Sequence, residues 1–279
     1  PDSRWITFSR LADHGMNAVY VWSREDRQTR LVSAPLFNAY SPAFSVDGQH
    51  LFFLSDRQFA PQIGSFEWNY VADRETGIFA LALTDEAANP FGPRNDEVAA
   101  SDESGDEDGK DSDEDGDDDD EEDGDDDESE AAKEVVRVEI DFDGIAERVI
   151  RVPVEADNIA GVMPLDGQVL YATTGPFYYG READVQTKLH ALDVKTREGK
   201  MLIDGIEQAV ASADGKYVVV RKNGSLHRIE LSKPEEPKQI STDNLIVYRA
   251  PATEWTVVFD EVWRRFRDYF YVPNMHGYD

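Results

Sequence analysis

The chain has 279 residues, 40% of them apolar, with no cysteine and a formal net charge of −30 at pH 7. That apolar content supplies a proper core, while the missing thiols exclude a disulfide framework, a thiolate metal site and thiol redox chemistry. No apolar run approaches the roughly 20 residues needed to span a bilayer, and nucleic acid is a disfavoured partner because no basic stripe with interleaved aromatics is present.

In chain order the signal is one of short strands parted by turn residues. Trp5 to Phe8, Ala18 to Trp22 and Arg30 to Ser33 read as strands, and together as the later strands of one four-stranded unit. Ser41 to Ser45 and His50 to Ser55 form a hairpin about Asp47-Gly48, and Gly77 to Leu83 adds a third strand. The segment between Arg57 and Gly77 is long for a loop and carries Phe59, Phe66, Trp68 and Tyr70. Contact packing is its expected role, with ligand contact as the alternative.

An acidic tract follows. Residues 96–130 hold 23 Asp or Glu and a single base, Lys110, which leaves only about −8 of the net charge for the rest of the chain. A tract this charged and this poor in apolar side chains is expected to be a disordered insertion. The string DGDDDDEEDGDDDE lacks the spaced ligands of a calcium loop. Cation binding, an interaction tail for basic proteins and adaptation to high salt are the functional alternatives. The strand expected at Ala146 to Pro153 completes the unit that the tract interrupts.

The pattern repeats. Ile159 to Met163, Gly167 to Thr173, Lys188 to Asp193 and Lys200 to Ile203 form one unit, and Gln208 to Ser212, Lys216 to Arg221 and Ser225 to Ile229 begin another with no clear outer strand. Turns reading VDG at 46–48, LDG at 165–167 and ADG at 213–215 recur at one phase, Asp-Gly supplying the positive dihedrals of a tight hairpin. Asn223-Gly224-Ser225 fits an N-glycosylation acceptor, but Asn-Gly between two strands reads as a type I′ turn. Repeated hairpins in units of roughly 40 to 60 residues mark propeller blades. The fold class is therefore all-β: a partial β-propeller of about four blades of a larger ring over residues 1–250, followed by a C-terminal amphipathic α-helix.

The helix reads from apolar Trp255, Val258, Phe259, Val262, Trp263, Phe266 and Phe270 at three- and four-residue spacing, with acids early, Arg264, Arg265 and Arg267 late, and Pro273 as a stop. One face is expected to be covered, by the preceding domain or by further chain.

Two stretches carry a family resemblance. Trp255, Phe259, Asp260, Trp263, Arg267, Asp268, Phe270, Tyr271 and Pro273 to Gly277 resemble the opening of the core domain of tricorn-type serine peptidases, relatives of the C-terminal-processing peptidases. Ser41-Pro42-Ala43-Phe44, Asp47-Gly48 and Leu51 to Arg57 resemble a blade of the propeller that precedes that core. The resemblance implies that residues 251–279 open a core domain which this chain does not complete. It also implies a parent enzyme that hydrolyses peptides or unfolded polypeptides by an acyl-enzyme route, with a PDZ-like segment, as a homo-oligomer. In that family the propeller restricts substrate access. A non-enzymatic scaffold of the TolB or WD40 kind is the alternative. The compartment expected is cytoplasmic, with periplasmic or secreted locations left open.

No catalytic, cofactor-binding or metal-binding residue is assigned. There is no GxSxG elbow or HExxH, and His14, His50, His190, His227 and His276 are scattered. For His50, His190 and His227 the expectation is a polar side chain facing solvent. His276 falls within the resembling segment, but the family's catalytic base and nucleophilic Ser lie further along, so Asn274 to Gly277 is read as a turn seating the next helix. No cofactor is expected, and the chain alone should be catalytically silent. For the acidic tract, calorimetric titration with calcium is expected to show no saturable micromolar binding; saturable heats would establish a cation site.

Overall fold

The computed structural model describes residues 2–63, 70–71, 74–93, 136–175, 185–234, 237–272 and 274–277. The acidic tract, residues 96–130, lies outside the described residues. The chain divides into two compact units, Pro1–Lys238 and Gln239–Asp279.

Four sheets follow one another along the chain. The first contains β1 (Trp5–Leu11), β2 (Asn17–Ser23) and β3 (Thr29–Leu31). The second orders β4 (Ala39–Phe44), β5 (His50–Ser55), β8 (Gly77–Ala82) and β9 (Val149–Arg151), with a small hairpin of β6 (Gln62–Ile63) and β7 (Tyr70–Val71) between β5 and β8. The third orders β10 (Asn158–Leu165), β11 (Gln168–Thr174), β12 (Lys188–Asp193) and β13 (Gly199–Asp204). The fourth orders β14 (Gln208–Ala211), β15 (Tyr217–Lys222), β16 (Ser225–Glu230) and β17 (Lys238–Ile240). The last of these strands corrects the sequence reading, which gave this blade no outer strand. Every β17 residue is exposed, so it carries no hydrophobic alternation by which to be found.

These sheets stack face to face because their strands are apolar on both sides, the pattern of a doubly covered sheet rather than of a half-wet one. All six residues of β5 and of β8 are buried. Period-2 alternation then sends Leu51, Phe53, Phe79 and Leu81 toward Val19 and Val21 of β2, and Phe52, Leu54, Ile78 and Ala80 toward Ile159 and Val169 of the third sheet. A third cluster joins Leu170 and Leu189 to Val218, Val220 and Ile229. Each cluster fills one gap between consecutive sheets. A single fully buried Leu or Phe contributes about 1.5–3 kcal/mol.

The innermost strands β4 and β10 are edge strands, which is why they accept Pro42 and Pro164. In β4 the proline sits at a register shift between Tyr40 and Ala43, where Ser41 has φ 52°.

Two turn types recur. Ser45 and Ser212 open the same turn: each backbone N–H donates five residues on, to His50 O at 2.9 Å and Tyr217 O at 2.9 Å, and each hydroxyl accepts from that residue's N–H at 2.9 and 3.0 Å. Asp47 and Asp214 accept from the N–H of Gln49 and Lys216, both at 3.0 Å. Only the glycines, Gly48, Gly167 and Gly215 at φ 70°, 67° and 69°, have left-handed backbone there. The aspartates serve as acceptors instead of supplying positive dihedrals. Asn223 and Gly224, at φ 50° and 74°, do form the type I′ turn. The turn after β2 repeats that after β12, with Ser23 N–H to Gln28 O at 3.0 Å matching Asp193 N–H to Glu198 O at 3.1 Å. This match makes β1–β3 the second to fourth strands of a blade.

β8 and β9 pair although residues 83–148 separate them in sequence, and both limbs of the insertion are anchored. On the incoming limb Ala88 O meets His50 Nε2 at 3.1 Å and Phe91 packs on the second core cluster. On the outgoing limb Val138 is buried, its N–H donating to Asp2 at 3.0 Å and its carbonyl accepting from Trp5 Nε1 at 3.1 Å. Arg148 ties the limbs together through Asp85 at 2.6 Å, the Asp143 carbonyl at 3.1 Å and the Ala82 carbonyl at 3.2 Å.

In the second unit α1 (Pro251–Tyr269) starts with proline in its first turn, where a missing N–H costs nothing. It ends four residues before Pro273, with Phe270 as an extended cap rather than a stripe member. No residue of α1 is buried, and Trp255, Phe259 and Phe266 are 71%, 72% and 56% exposed. Among the described residues of the second unit no second layer packs on the apolar face of this helix.

A β-carbon at Gly48 would lie 3.0 Å from Val136 Cγ1 and Val138 Cγ2, whereas one at Gly215 would meet nothing within 4 Å. Both positions carry the left-handed cost of about 1–2 kcal/mol, and Gly48→Ala adds crowding of about 1–3 kcal/mol. Urea denaturation should therefore find Gly48→Ala clearly less stable than Gly215→Ala; equal losses would mean that the outgoing limb does not rest on this turn.

Candidate functional site

Antiparallel order puts the two ends of the sheets to different uses. One end carries the Ser-Asp-Gly turns and the limbs of the insertion. The other gathers the starts of β4, β8 and β10 and the ends of β5 and β9, with the connections at 56–76 and 175–187, and it bears most of the polar chemistry.

The carboxylate of Asp56 organises this second end. It accepts from Tyr40 OH at 3.0 Å, Thr76 Oγ1 at 2.8 Å and Asn38 Nδ2 at 3.2 Å, joining the strand ends of one blade. Burial raises the Tyr40 phenol above its ordinary value, and the Asp56 charge adds to this. Arg57 follows. Its Nε donates to Ser55 Oγ at 3.0 Å, and its guanidinium lies over Phe79, Phe37 and Phe53 at 4.8, 5.2 and 5.7 Å, a cation–π arrangement capping the first core cluster. Burial lowers its pKa from the usual arginine value. Gln58 Oε1 accepts from Arg151 Nη2 at 3.2 Å, and the Arg74 N–H donates to Asn158 Oδ1 of the next blade at 2.9 Å. Nearby on β11 and β12, His190 stacks on Tyr171 at 4.9 Å and shares a hydrogen bond with Thr173 Oγ1 at 3.0 Å.

The five histidines stay apart from one another in their contacts. His14 is exposed and accepts from the Met16 N–H at 3.3 Å. The expectation that strand histidines face solvent is corrected for His50, which is 4% exposed beside Phe52. His190 is half-buried against Tyr171, and His227 is likewise half-buried with its Nδ1 lacking a partner. His50 and His190 lie in sheets with a neighbour on each side, whereas His227 shares with Ile229 the face of β16 that packs on the third cluster. His276, at φ 57°, lies in a short 3-10 turn and contacts Tyr271 OH at 2.5 Å. Among the described residues no group of three His, Asp or Glu is placed to hold a metal ion.

Of the aromatic group in the long connection, Phe59 is 87% exposed and Tyr70 pairs through its backbone with Ile63, while Phe66 and Trp68 lie outside the described residues. Sequence reasoning assigned no role to Arg57 or Gln58. The signal in the sequence is the Ser55-Asp56-Arg57 string that closes the apolar run from Leu51, which by itself marks a blade.

Consecutive antiparallel sheets, one of three strands and three of four, sharing inter-sheet cores are the blades of a β-propeller. Residues 1–232 match the tricorn protease second beta propeller domain and residues 251–279 the tricorn protease C1 domain, so the chain belongs to the tricorn protease family. It is 26% identical over its whole length to tricorn protease homolog 1 of Streptomyces coelicolor, of which it covers 26%. It is 25% identical over 97% of its length to the tricorn protease of Thermoplasma acidophilum, covering 23% of that protein. The crystal structure of the tricorn protease superposes with a TM-score of 0.71 at 22% identity, over 99% of this chain and 24% of that one. The chain thus spans about a quarter of the length of these relatives. No helix among the described residues is long and apolar enough to cross a membrane.

His50 and His190 are both held below the ordinary histidine pKa, burial being the leading cause in each. Each is neutral in the fold and takes up a proton more readily when unfolded. Their contribution to stability is therefore present above the unfolded value of about 6.5 and falls away as pH drops below it. Thermal melts between about pH 7 and about pH 5 should show a smaller loss of Tm in His50→Gln and His190→Gln than in the wild type; an undiminished loss in both variants would exclude these rings as the source.

Proposed function

We propose that this chain is the non-catalytic propeller portion of a tricorn-like serine peptidase, and that the propeller guides or gates access of peptide substrates to a catalytic core carried elsewhere in the protein. The observation that carries this reading is the succession of matches along the chain, a second-propeller domain over residues 1–232 and then a C1 domain over residues 251–279, together with its similarity to tricorn proteases. The polar cluster at the loop-bearing end offers positioned donors and acceptors, which suits contact with a peptide chain. The hydrophobic helix α1, open on its apolar face, suits an element that seats against a larger partner surface.

The isolated chain is expected neither to hydrolyse a fluorogenic peptide nor to be labelled by a fluorophosphonate, while the full-length gene product does both. For gating, replacing residues 59–73 with a short Gly-Ser turn should raise turnover of a long unstructured polypeptide relative to that of a tetrapeptide. Serine-reactive labelling of the chain alone would reject the assignment, and a parallel change for both substrates would reject the gate.

A further inference from the structure

We propose that Arg57 and Gln58, at the loop-bearing end of the second blade, form a carboxylate-binding subsite for a peptide at that mouth; this rests on the peptide-guiding reading above. Arg57 commits Nε to Ser55 Oγ at 3.0 Å and its planar face to three phenylalanines, yet Nη2 is buried with no hydrogen-bond partner. Its neighbour Asp56, the nearest carboxylate in sequence, is already occupied by Tyr40, Asn38 and Thr76. Among the described residues Arg57 has no ion-pair partner. Arg148 in the same blade shows the contrast, paired with both Asp85 and Asp141.

Gln58 points the same way. Its Oε1 is used by Arg151 at 3.2 Å, which leaves Nε2, also buried, without an acceptor. The Arg57 guanidinium lies 4.8 Å from the Phe79 ring, and Gln58 Oε1 and Phe79 Cε2 both border the space that a β-carbon of Gly77 would fill, at 2.9 and 3.0 Å. Glycine at 77 leaves the room in which the Gln58 amide sits. Arg74 Nε is a further buried donor without a partner on this end of the blade. Among the described residues the corner therefore presents three buried donors without a partner, two of them on the permanently cationic guanidiniums of Arg57 and Arg74. Burying a cation and two N–H groups unpaired is unfavourable, and a carboxylate, with two oxygens and a negative charge, complements them where an amine or a neutral amide does not. A peptide carries such a group at its C-terminus or on Asp and Glu side chains.

Three N-acetylated peptides of otherwise identical neutral sequence separate these sources: one with a free C-terminus, one C-amidated with a single Glu, and one C-amidated and neutral. Calorimetry with the 279-residue chain should find at least one carboxylate-bearing peptide bound about ten-fold or more tighter than the neutral amide, the usual worth of a hydrogen bond to a charged group. Which of the two binds identifies the source. The preference should vanish in Arg57→Met, which keeps an apolar side chain over the rings, and weaken in Gln58→Leu. Should Arg57→Met fail to fold, the Arg57 Nε and Nη resonances of the wild-type chain supply the readout, moving with the carboxylate peptide and not with the amide. Equal binding of all three peptides overturns the subsite and leaves the peptide-guiding reading standing; binding of none removes both.

Discussion

A β-sheet that is apolar on both faces cannot stand alone: it needs a neighbour on each side, and this requirement shapes the whole first unit. In the second blade every residue of β5 and β8 is buried, so Leu51 and Phe53 commit one face to the first blade while Phe52 and Leu54 commit the other to the third. The core is accordingly a row of separate clusters between sheets instead of one centre. The blades at either end of the row have one covered face each, which is why Ile6 and Val210 remain exposed.

The same stacking sorts the molecule's chemistry by sheet end. Tight Ser-Asp-Gly turns close one end and satisfy their own backbone groups, leaving little to offer a ligand. At the other end the strands stop short and long connections begin; there Asn158 takes up the backbone N–H of Arg74, while Asp56 and Arg57 bond the side chains of Tyr40 and Ser55. Function in a propeller gathers where strands hand over to loops, because there the backbone leaves unfilled valences for side chains and ligands to meet.

How legible this was in the sequence depended on burial. Strands with strong apolar content, such as Leu51 to Leu54 and Ile78 to Leu83, and the Asp-Gly turns could be placed from residue types alone, as could α1 from its stripe of Trp, Phe and Val. The wholly exposed Lys238–Ile240 could not, since nothing in a solvated outer strand alternates. His50 reads as surface because it stands beside a turn, whereas the fold buries it next to Phe52 and gives its ring the Ala88 carbonyl of the incoming limb. The polar corner at Arg57 was equally hidden. Its meaning comes from what its nitrogens do not touch, and sequence does not show unfilled hydrogen bonds.

The anchored limbs of the insertion separate two properties that a single connection usually links. Since Phe91 on one side and Val138 with Trp5 on the other are fixed by their own contacts, and Arg148 clasps the two, the spacing of β8 and β9 is set before the chain leaves the blade and after it returns. Residues between the limbs can be gained, lost or recoded without disturbing the ladder. The blade in effect holds an open socket in which evolution can try new sequences while the ring stays the same.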